Sequence, residues 1–390
     1  MMKTRFSTIT SFVIILTLCI SPIAFAGSWQ YAGDLGNARD MHAAVYNATD
    51  TTIYILGGQI VTASPEDFVG EGNDSIGVQY IKMDTSGDYP VVTSWGWGPS
   101  LTAYQLTCSV TENVASYNFD GAFIYNDRLY ITPCNTNATA PWGVNDILMT
   151  DIASGGILSG TWVVAATAPV ATSGNVLFDA GWALHEPSQR VYVACGREAL
   201  EACGGGGATR MTNVVSGQFQ PDGTITNWRS ETAFPGTAND WGMLEIVGDL
   251  AVYIAGYNGS VGLNAVYVAP IGTDGVIGTW TASANNLPVT AYMQSGCTDG
   301  DYVYVLTGRI TASTYFTQSY RAKINTGGTD IEAWEVIADT PYQNRYAAAC
   351  GGDGEYFITG GRDYTNLAGA IVADIYSWSP LADVKDWSLY

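Results

Sequence analysis

Five arginines stand at two recurring places in this sequence and together have the chemistry to bind an anion. Arg197, Arg309 and Arg362 each follow the small residues that end an aromatic strand. Arg39 and Arg345 each precede a short apolar strand. A guanidinium group presents a fork of N–H donors that matches the oxygens of a carboxylate or a sulfate. If the fold brings both places to one face, the five side chains predict a site for an acidic group.

Aromatic side chains lie near the same places and would supply the other half of a sugar site. Trp97, Tyr104, Trp241 and Tyr292 precede first strands, and Tyr257 occupies the place that arginine has in other repeats. Aromatic faces pack against sugar rings, while polar groups fix the orientation of the ligand. The chain has 24 tyrosines and 12 tryptophans, so the alternative for each of them is a packing role in the core.

The sequence offers no clear site for a metal or a cofactor. Its only histidines are His42, at the start of a first strand, and His185, just after another, so they face opposite sides and cannot share a metal. Gly204–Gly207 is followed by no helix, unlike a phosphate-binding loop. The acidic residues between 66 and 74 match no known calcium loop, and a solvated charge run is the alternative. We expect no metal and no cofactor.

Tryptophan recurs at a nearly fixed phase and reveals the elements that position these side chains. The seven positions are Trp29, Trp95, Trp162, Trp228, Trp280, Trp334 and Trp387, with successive gaps of 66, 67, 66, 52, 54 and 53 residues. Periods near 50 residues are typical of arrays of small sheets. The spacing therefore predicts six units.

Each unit reads as four short strands. In the fourth unit they are Gly242–Val247, Ala251–Ala255, Asn264–Ala269 and Ile277–Thr281, separated by Gly-Asp and Asp-Gly turn signals. Six such units without helical periodicity predict an all-β fold, a six-bladed β-propeller of four-stranded antiparallel blades in one domain over 27–390. Seven tryptophans for six blades indicate that one terminus completes the blade begun by the other, which would place Trp29 and Trp387 in or beside that blade.

The repeat resembles that of kelch proteins and galactose-oxidase-type propellers. The resemblance rests on the Gly57-Gly58 and Gly360-Gly361 pairs after aromatic strands and on the tryptophan of each fourth strand. It implies that arginines such as Arg39 and Arg345 bond carbonyls of a neighbouring blade, which is the alternative to an anion site. Kelch-like propellers include protein-binding modules and enzymes, among them exported ones that isomerise sialic acid, so function must be argued from the site. The copper-radical chemistry of one such enzyme is excluded by the separated histidines.

The first residues and the overall charge bear on location and partners. Lys3 and Arg5 precede an apolar run, 12–20, and a small-x-small site at Ala24–Ala26, which predicts a signal peptide over 1–26 and export to the periplasm or beyond. That run is too short to anchor the chain, and we expect no membrane span. A formal net charge of −21 argues against nucleic acid and anionic membranes as partners.

Export would permit disulfides between the remaining cysteines. Cys195 and Cys203 flank one glycine-rich loop and are the first candidate pair, and Cys108 and Cys134, in one unit, are the second. Cys297 and Cys350 hold matching positions in neighbouring units, where buried thiols and a bond are both open.

Long loops indicate which face carries function. Residues 60–77, 135–145 and 198–212 follow second strands in consecutive units, on the face that would carry the arginines. The first hypothesis is an exported binding protein for an acidic glycan or an extracellular protein loop. The alternative is an enzyme on acidic sugars, a sialic or uronic acid epimerase, a lyase or a glycoside hydrolase. That alternative requires a carboxylate or tyrosine with a raised pKa facing the arginines.

Overall fold

Six four-stranded antiparallel sheets, numbered here as blades in chain order, form the ring that the repeat predicted. A computed structural model describes residues 28–36, 38–39, 42–57, 78–87, 89–99, 117–119, 121–132, 134–136, 143–169, 176–199, 209–345, 347–365 and 370–379. These residues contain no helix, so none of them forms a helix long and apolar enough to cross a bilayer.

The strands of each blade run outward from the axis of the ring in chain order. Blade 1 has β2 (Ala43–Asn47), β3 (Thr52–Leu56), β4 (Val78–Asp84) and β5 (Val91–Trp97). Blade 2 has β7 (Ala122–Tyr125), β8 (Arg128–Ile131), β11 (Asp146–Ala153) and β12 (Ile157–Thr167). Blade 3 has β14 (Gly181–His185), β15 (Arg190–Ala194), β18 (Val214–Phe219) and β19 (Ile225–Ser230).

The remaining blades repeat this order, and the last one uses both ends of the chain. Blade 4 has β20 (Met243–Val247), β21 (Leu250–Ile254), β22 (Val266–Pro270) and β23 (Thr281–Ala282). Blade 5 has β24 (Tyr292–Thr298), β25 (Tyr302–Thr311), β27 (Gln318–Lys323) and β28 (Glu335–Asp339). Blade 6 has β30 (Ala348–Gly352), β31 (Glu355–Thr359), β34 (Asp374–Trp378) and, outermost, β1 (Gln30–Asp34).

Shorter strands extend the blades on one side, which we call the loop face; the other side is the turn face. They are β6 (Tyr117–Phe119), β9 (Cys134–Thr136), β10 (Gly143–Val144), β13 (Val176–Phe178), β16 (Arg197–Ala199), β17 (Thr209–Arg210), β26 (Thr314–Tyr315), β29 (Asn344–Arg345), β32 (Arg362–Asp363) and β33 (Ala370–Ile371). They pair the segment that enters a first strand with the loop between strands two and three.

The core lies between blades. Six apolar clusters each fill the interface between two successive blades, including blade 6 with blade 1, so the ring is closed. Second strands such as β3, β15 and β21 are buried along their whole length, because a neighbouring blade covers each of their faces. This explains why they are apolar throughout instead of alternating with polar residues.

The periodic tryptophans join neighbouring blades. Three of them donate an indole N–H to a backbone carbonyl just after the fourth strand of the preceding blade. The bonds are Trp162 Nε1 to Pro99 O at 2.9 Å, Trp280 Nε1 to Thr232 O at 3.0 Å and Trp334 Nε1 to Asn285 O at 3.1 Å. The regular spacing of tryptophan in the sequence thus reflects a hydrogen bond that recurs at the interfaces between blades.

The paired small residues after second strands have a backbone reason. Cys195–Gly196, Ala255–Gly256 and Gly360–Gly361 each place two successive residues at positive φ, from 54° to 107°. The second N–H of each pair then donates to the segment entering the next blade, as Gly361 does to Arg39 O at 2.7 Å. Glycine is favoured there because this conformation strains other residues.

Ring closure uses the N-terminal strand, as predicted. β1 pairs with β34 from Gln30 opposite Ser377 to Asp34 opposite Asp374. The Trp29 ring lies 6.5 Å from that of Trp378, centroid to centroid. Trp387, the other tryptophan expected at this blade, and the signal peptide predicted over 1–26 lie outside the described residues.

Candidate functional site

Several of the candidate residues occupy equivalent positions on the loop face. Each of them pairs backward with the segment entering its own blade and forward with the next part of its loop. The pairs are Arg197 with Phe178 and Arg210, Tyr257 with Asp240 and Gly262, Arg309 with Tyr292 and Tyr315, and Arg362 with Arg345 and Ile371. These positions belong to four successive blades.

Three of the predicted aromatic residues form one cluster there. The ring centroids of Trp241 and Tyr257 are 5.7 Å apart, those of Trp241 and Tyr292 are 6.0 Å apart, and those of Tyr257 and Tyr292 are 5.1 Å apart. Tyr292 is buried, whereas Trp241 and Tyr257 are partly exposed. The sequence predicted their common face, and the structure shows their contact.

An arginine lies over each ring of this aromatic cluster. The guanidinium carbon of Arg197 is 4.7 Å from the centre of Trp241, and that of Arg309 is 5.3 Å from the centre of Tyr292. Arg210, which the sequence analysis missed, lies 5.3 Å over Tyr257. Cation–π contacts of this kind hold flat cationic groups against aromatic faces.

Aspartates already pair with two of these arginines. The Arg197 guanidinium donates to Asp179 Oδ2 and approaches Asp240 Oδ2 at 2.8 Å, and Arg210 Nε donates to Asp240 Oδ1 at 3.0 Å. Burial raises the pKa of both carboxyl groups, and the arginines offset only part of that effect. Two positive and two negative groups make the network locally neutral, so Arg197 is not the open anion-binding group that the sequence predicted.

Arg39 and Arg309, two of the other predicted arginines, bond the protein backbone. Arg39 is fully buried and donates to Gly57 O at 2.8 Å, with Trp97 5.8 Å away. Arg309 donates to the carbonyls of Thr311, at 2.8 Å, and Ala312. Both contacts lie within a single blade, so they are not the bonds to a neighbouring blade that the kelch resemblance implied. Arg39 and Arg309 thus each bond backbone carbonyls of their own blade, which differs from the expected convergence of their guanidinium groups on one anion.

The remaining site residues are placed as follows. Trp97 ends the outermost strand of blade 1, which corrects its expected position in a segment entering a first strand. Arg362 is partly exposed on β32. The side chain of Arg345, the whole of Tyr104 and the acidic residues between 66 and 74 lie outside the described residues.

A channel opens beside the aromatic cluster and follows the axis of the ring. Its loop-face half is a cavity of about 300 Å³ whose lining includes His42, Asp179, Arg197, Trp241 and Met293. A second cavity of about 440 Å³ opens to the turn face. Both cavities are lined by Ala44, Gly121, Ala122, Trp182, Glu245, Gly296 and Ala349, so they meet at this waist.

The mouth of the channel is built on unusual backbone. Asp179, Trp241 and Met293 each precede a first strand or lie at its start, and each has a φ between 53° and 57°. Trp241 N donates to Asp179 O at 2.9 Å, and Met293 N donates to Trp241 O at 3.1 Å, so the three residues form a chain from blade to blade. Residues held in this region store strain of the kind that clusters at functional sites.

Glu245 is the carboxylate of the waist. Burial raises its pKa to about 8. Among the described residues it has no hydrogen bond and no ion pair, and the buried Trp182 Nε1 at the same waist is also unpartnered. Glu245 is not among the residues predicted from the sequence, although as the single acid in an otherwise apolar first strand it carried a visible signal.

The two histidines lie on opposite faces of the ring and have different contacts. His42 lines the loop-face cavity and contacts Thr359 Oγ1 through Nε2 at 2.8 Å. Burial and the nearby Arg39 lower its pKa to about 3, so its ring is neutral at physiological pH. His185 contacts Ser188 and Asp249 at the turn face. Within the described residues no group of three His, Cys, Asp or Glu residues could hold a metal.

The predicted Cys195–Cys203 disulfide is wrong. Cys195 is a free thiol buried between blades 3 and 4, and burial raises its pKa to about 12. Its positive φ directs the side chain into that core. Cys297 and Cys350 are also free, with pKa values raised by burial. Cys108 and the side chain of Cys134 lie outside the described residues.

The fold and site define a six-bladed β-propeller with an axial channel. An aromatic cluster lies at the loop-face opening of the channel, beside arginines that are paired with aspartates. No protein-family model matches the chain, and no curated protein matches it. Among solved structures, that of YjhT is similar, with a TM-score of 0.56 and 14% sequence identity over 88% of this chain and 95% of YjhT. Similarity at this identity shows a shared fold alone, and membership of the kelch subfamily stays a prediction.

Proposed function

We propose that this protein is a binding protein that recognises a carbohydrate at the loop-face mouth of the channel. The aromatic cluster of Trp241, Tyr257 and Tyr292 beside the cavity of about 300 Å³ supports the proposal. The C–H face of a sugar packs on partly exposed aromatic rings, and fixed polar groups orient its hydroxyls. Trp241 lines the cavity beside Arg197 and Asp179, so one ring and both kinds of polar group are within reach of one ligand.

The proposed ligand class is broader than the acidic glycan expected from the arginines. A ligand carboxylate would have to compete with Asp179 and Asp240 for Arg197. Neutral hydroxyls can bond the same groups without breaking the ion pairs, because carboxylate oxygens retain acceptor capacity. A neutral sugar or a neutral face of an acidic glycan is therefore the better match, and a protein loop is the other occupant to test. The signal peptide predicted over residues 1–26 would export the protein, which would expose this site to ligands outside the cytoplasm.

A glycan array with matched variants tests this proposal. Trp241→Ala should weaken binding of the recognised glycan at least tenfold, since removal of a central aromatic anchor typically costs 2 kcal/mol or more, about thirtyfold. Trp95→Ala is the control, because Trp95 is 48% exposed on the outer edge of blade 1, away from the mouth. The proposal fails if the wild-type protein retains no glycan, or if both variants bind like wild type. A pull-down that yields only a protein would favour the protein loop instead.

A second candidate is an enzyme on acidic sugars, and one observation favours it. Glu245 has the raised pKa that an acid–base group needs, and it lines the same cavity as Arg197. The glycan identified on the array should then change on incubation, followed by its NMR spectrum, and Glu245→Gln should bind it without changing it. A spectrum that stays constant with wild-type protein excludes the enzyme and leaves the binding protein.

A further inference from the structure

The waist of the channel offers backbone acceptors from several blades. The innermost strands β2, β7, β14, β20, β24 and β30 each pair with a single neighbour in their sheet, so their other edge faces the axis. Small residues such as Ala44, Gly121, Ala122, Gly296 and Ala349 line this region. With so little side chain in the way, carbonyl groups at these free edges are accessible to a ligand.

Glu245 brings a carboxyl group to this waist without a positively charged partner in the part of the chain that the structure describes. Among the described residues, Arg197 is the only arginine or lysine lining either cavity, and it already pairs with Asp179 and Asp240. Glu245 itself has no ion pair in the described part of the chain. A carboxylate removed from bulk water is costly unless a cation approaches it.

We propose that the waist of the channel binds a primary ammonium group carried on a slender chain, with Glu245 as its anionic partner. An ammonium group has three N–H donors and no acceptor, which matches one carboxylate and neighbouring carbonyls. Calcium would need six to eight oxygen ligands, roughly, with more than one acidic side chain as a rule. The described residues hold no group of three candidate ligands, so the organic cation fits better. This site lies below the proposed glycan contact and goes beyond it.

The whole molecule favours such a ligand. The formal net charge of −21 raises the concentration of cations near the surface and speeds their capture. Both openings of the channel lead to Glu245, so a slender ligand has two routes of entry.

Proton release should accompany binding near neutral pH. Because the pKa of Glu245 is about 8, the carboxyl is mostly protonated at pH 7, and an ammonium ligand must displace that proton. The other groups around the two cavities are His42, Tyr46, Asp179, Glu186, Arg197, Cys297 and Cys350. Burial lowers the pKa of His42 to about 3, raises that of Tyr46 to about 12 and raises those of both thiols, so these four stay neutral from pH 6 to 8. Asp179, whose pKa is also raised, is paired with Arg197.

Calorimetric titration with n-butylammonium tests the site. Its affinity should rise roughly tenfold from pH 6 to pH 7 and level off above about pH 8, as the fraction of ionised Glu245 does. Titrations at pH 7 in two buffers of different ionisation enthalpy should show close to one proton released. Glu245→Gln should abolish both binding and its pH dependence. Glu186→Gln, at the turn-face cavity, is the matched control and should bind like wild type.

Three outcomes would overturn the proposal. They are equal binding by Glu245→Gln, equal affinity for neutral n-butanol, and no heat of binding at any pH up to 9 with millimolar ligand. Trp241→Ala separates this site from the proposed glycan contact, since it should lose the glycan and keep n-butylammonium. A wild-type protein that binds the amine but no glycan would support this inference alone.

Discussion

At the scale of single residues, Glu245 has the clearest consequence for stability. Its pKa is about 8 in the folded protein, above the ordinary value of a glutamate, because partial burial in the channel disfavours the charged form. The folded state therefore holds a proton that the unfolded state has released between the two pKa values. Stability must then fall as pH rises from about 4.5 to about 8.

The substitution Glu245→Gln should remove this fall in folding stability with rising pH. Each unit of pKa shift corresponds to roughly 1.4 kcal/mol, and channel water reduces the effect, so we expect a gain of a few kcal/mol at pH 8 and almost none at pH 5. Thermal unfolding of both proteins from pH 5 to pH 8 measures it. Parallel Tm profiles for the two proteins would show that Glu245 ionises freely in the channel.

The same scale shows what sequence can and cannot predict. The repeat placed Arg197, Tyr257 and Arg309 at one structural position, because equal phase in a repeat means equal place in the ring. It could not reveal that Asp179 and Asp240 neutralise Arg197, because these acids come from loops of two different blades. Nor could it reveal the free Cys195, whose backbone conformation decides which way the thiol points.

At the scale of elements, tyrosines of the second strands bond blades 1, 2 and 3 to the blade that follows each of them. Tyr54, Tyr130 and Tyr192 each donate a buried hydroxyl to a glycine carbonyl in the last turn of the following blade, at 2.8, 3.0 and 2.5 Å. Blades 5 and 6 differ, because Tyr304 and Tyr356 both donate to Asp299. The aromatic strands were visible in the sequence, but the partners of their hydroxyls were not.

Removal of one such hydroxyl should cost about 1 kcal/mol, the usual net worth of a buried hydrogen bond. Tyr130→Phe keeps the ring and loses only the bond to Gly223 O. Tyr267→Phe is the control, since the described residues offer its hydroxyl no hydrogen bond. Denaturant unfolding should show a lower midpoint for the first variant alone. Equal midpoints would mean that water replaces the Tyr130 hydroxyl without loss.

At the scale of the whole molecule, β1 closes the ring. It covers β34 and buries Trp29 and Ala32 against blade 6, which would otherwise end in an open edge. A chain that begins at Leu35 should therefore melt at a lower temperature and associate through that edge, because unpaired strand edges template further pairing.

A peptide of residues 28–36 should reverse both effects when added to the shortened chain, by adding back the missing strand. Tm and the elution volume in size-exclusion chromatography measure the recovery, and a scrambled peptide of the same composition is the control. If the shortened chain melts like the full chain without peptide, β1 is dispensable for the ring.

The pairing of β1 with β34 also determines when the ring can close during biosynthesis. β1 is synthesised about 340 residues before its partner, since Asp34 pairs with Asp374. At cellular elongation rates of roughly 5 to 20 residues per second, β1 waits on the order of tens of seconds for that partner. During this interval β1 has no strand to pair with, and blades 1 to 5 must assemble before blade 6 can close the ring. The ring can therefore close only after translation has passed β34, so this pairing stays exposed to misassembly for longer than the pairing inside any other blade.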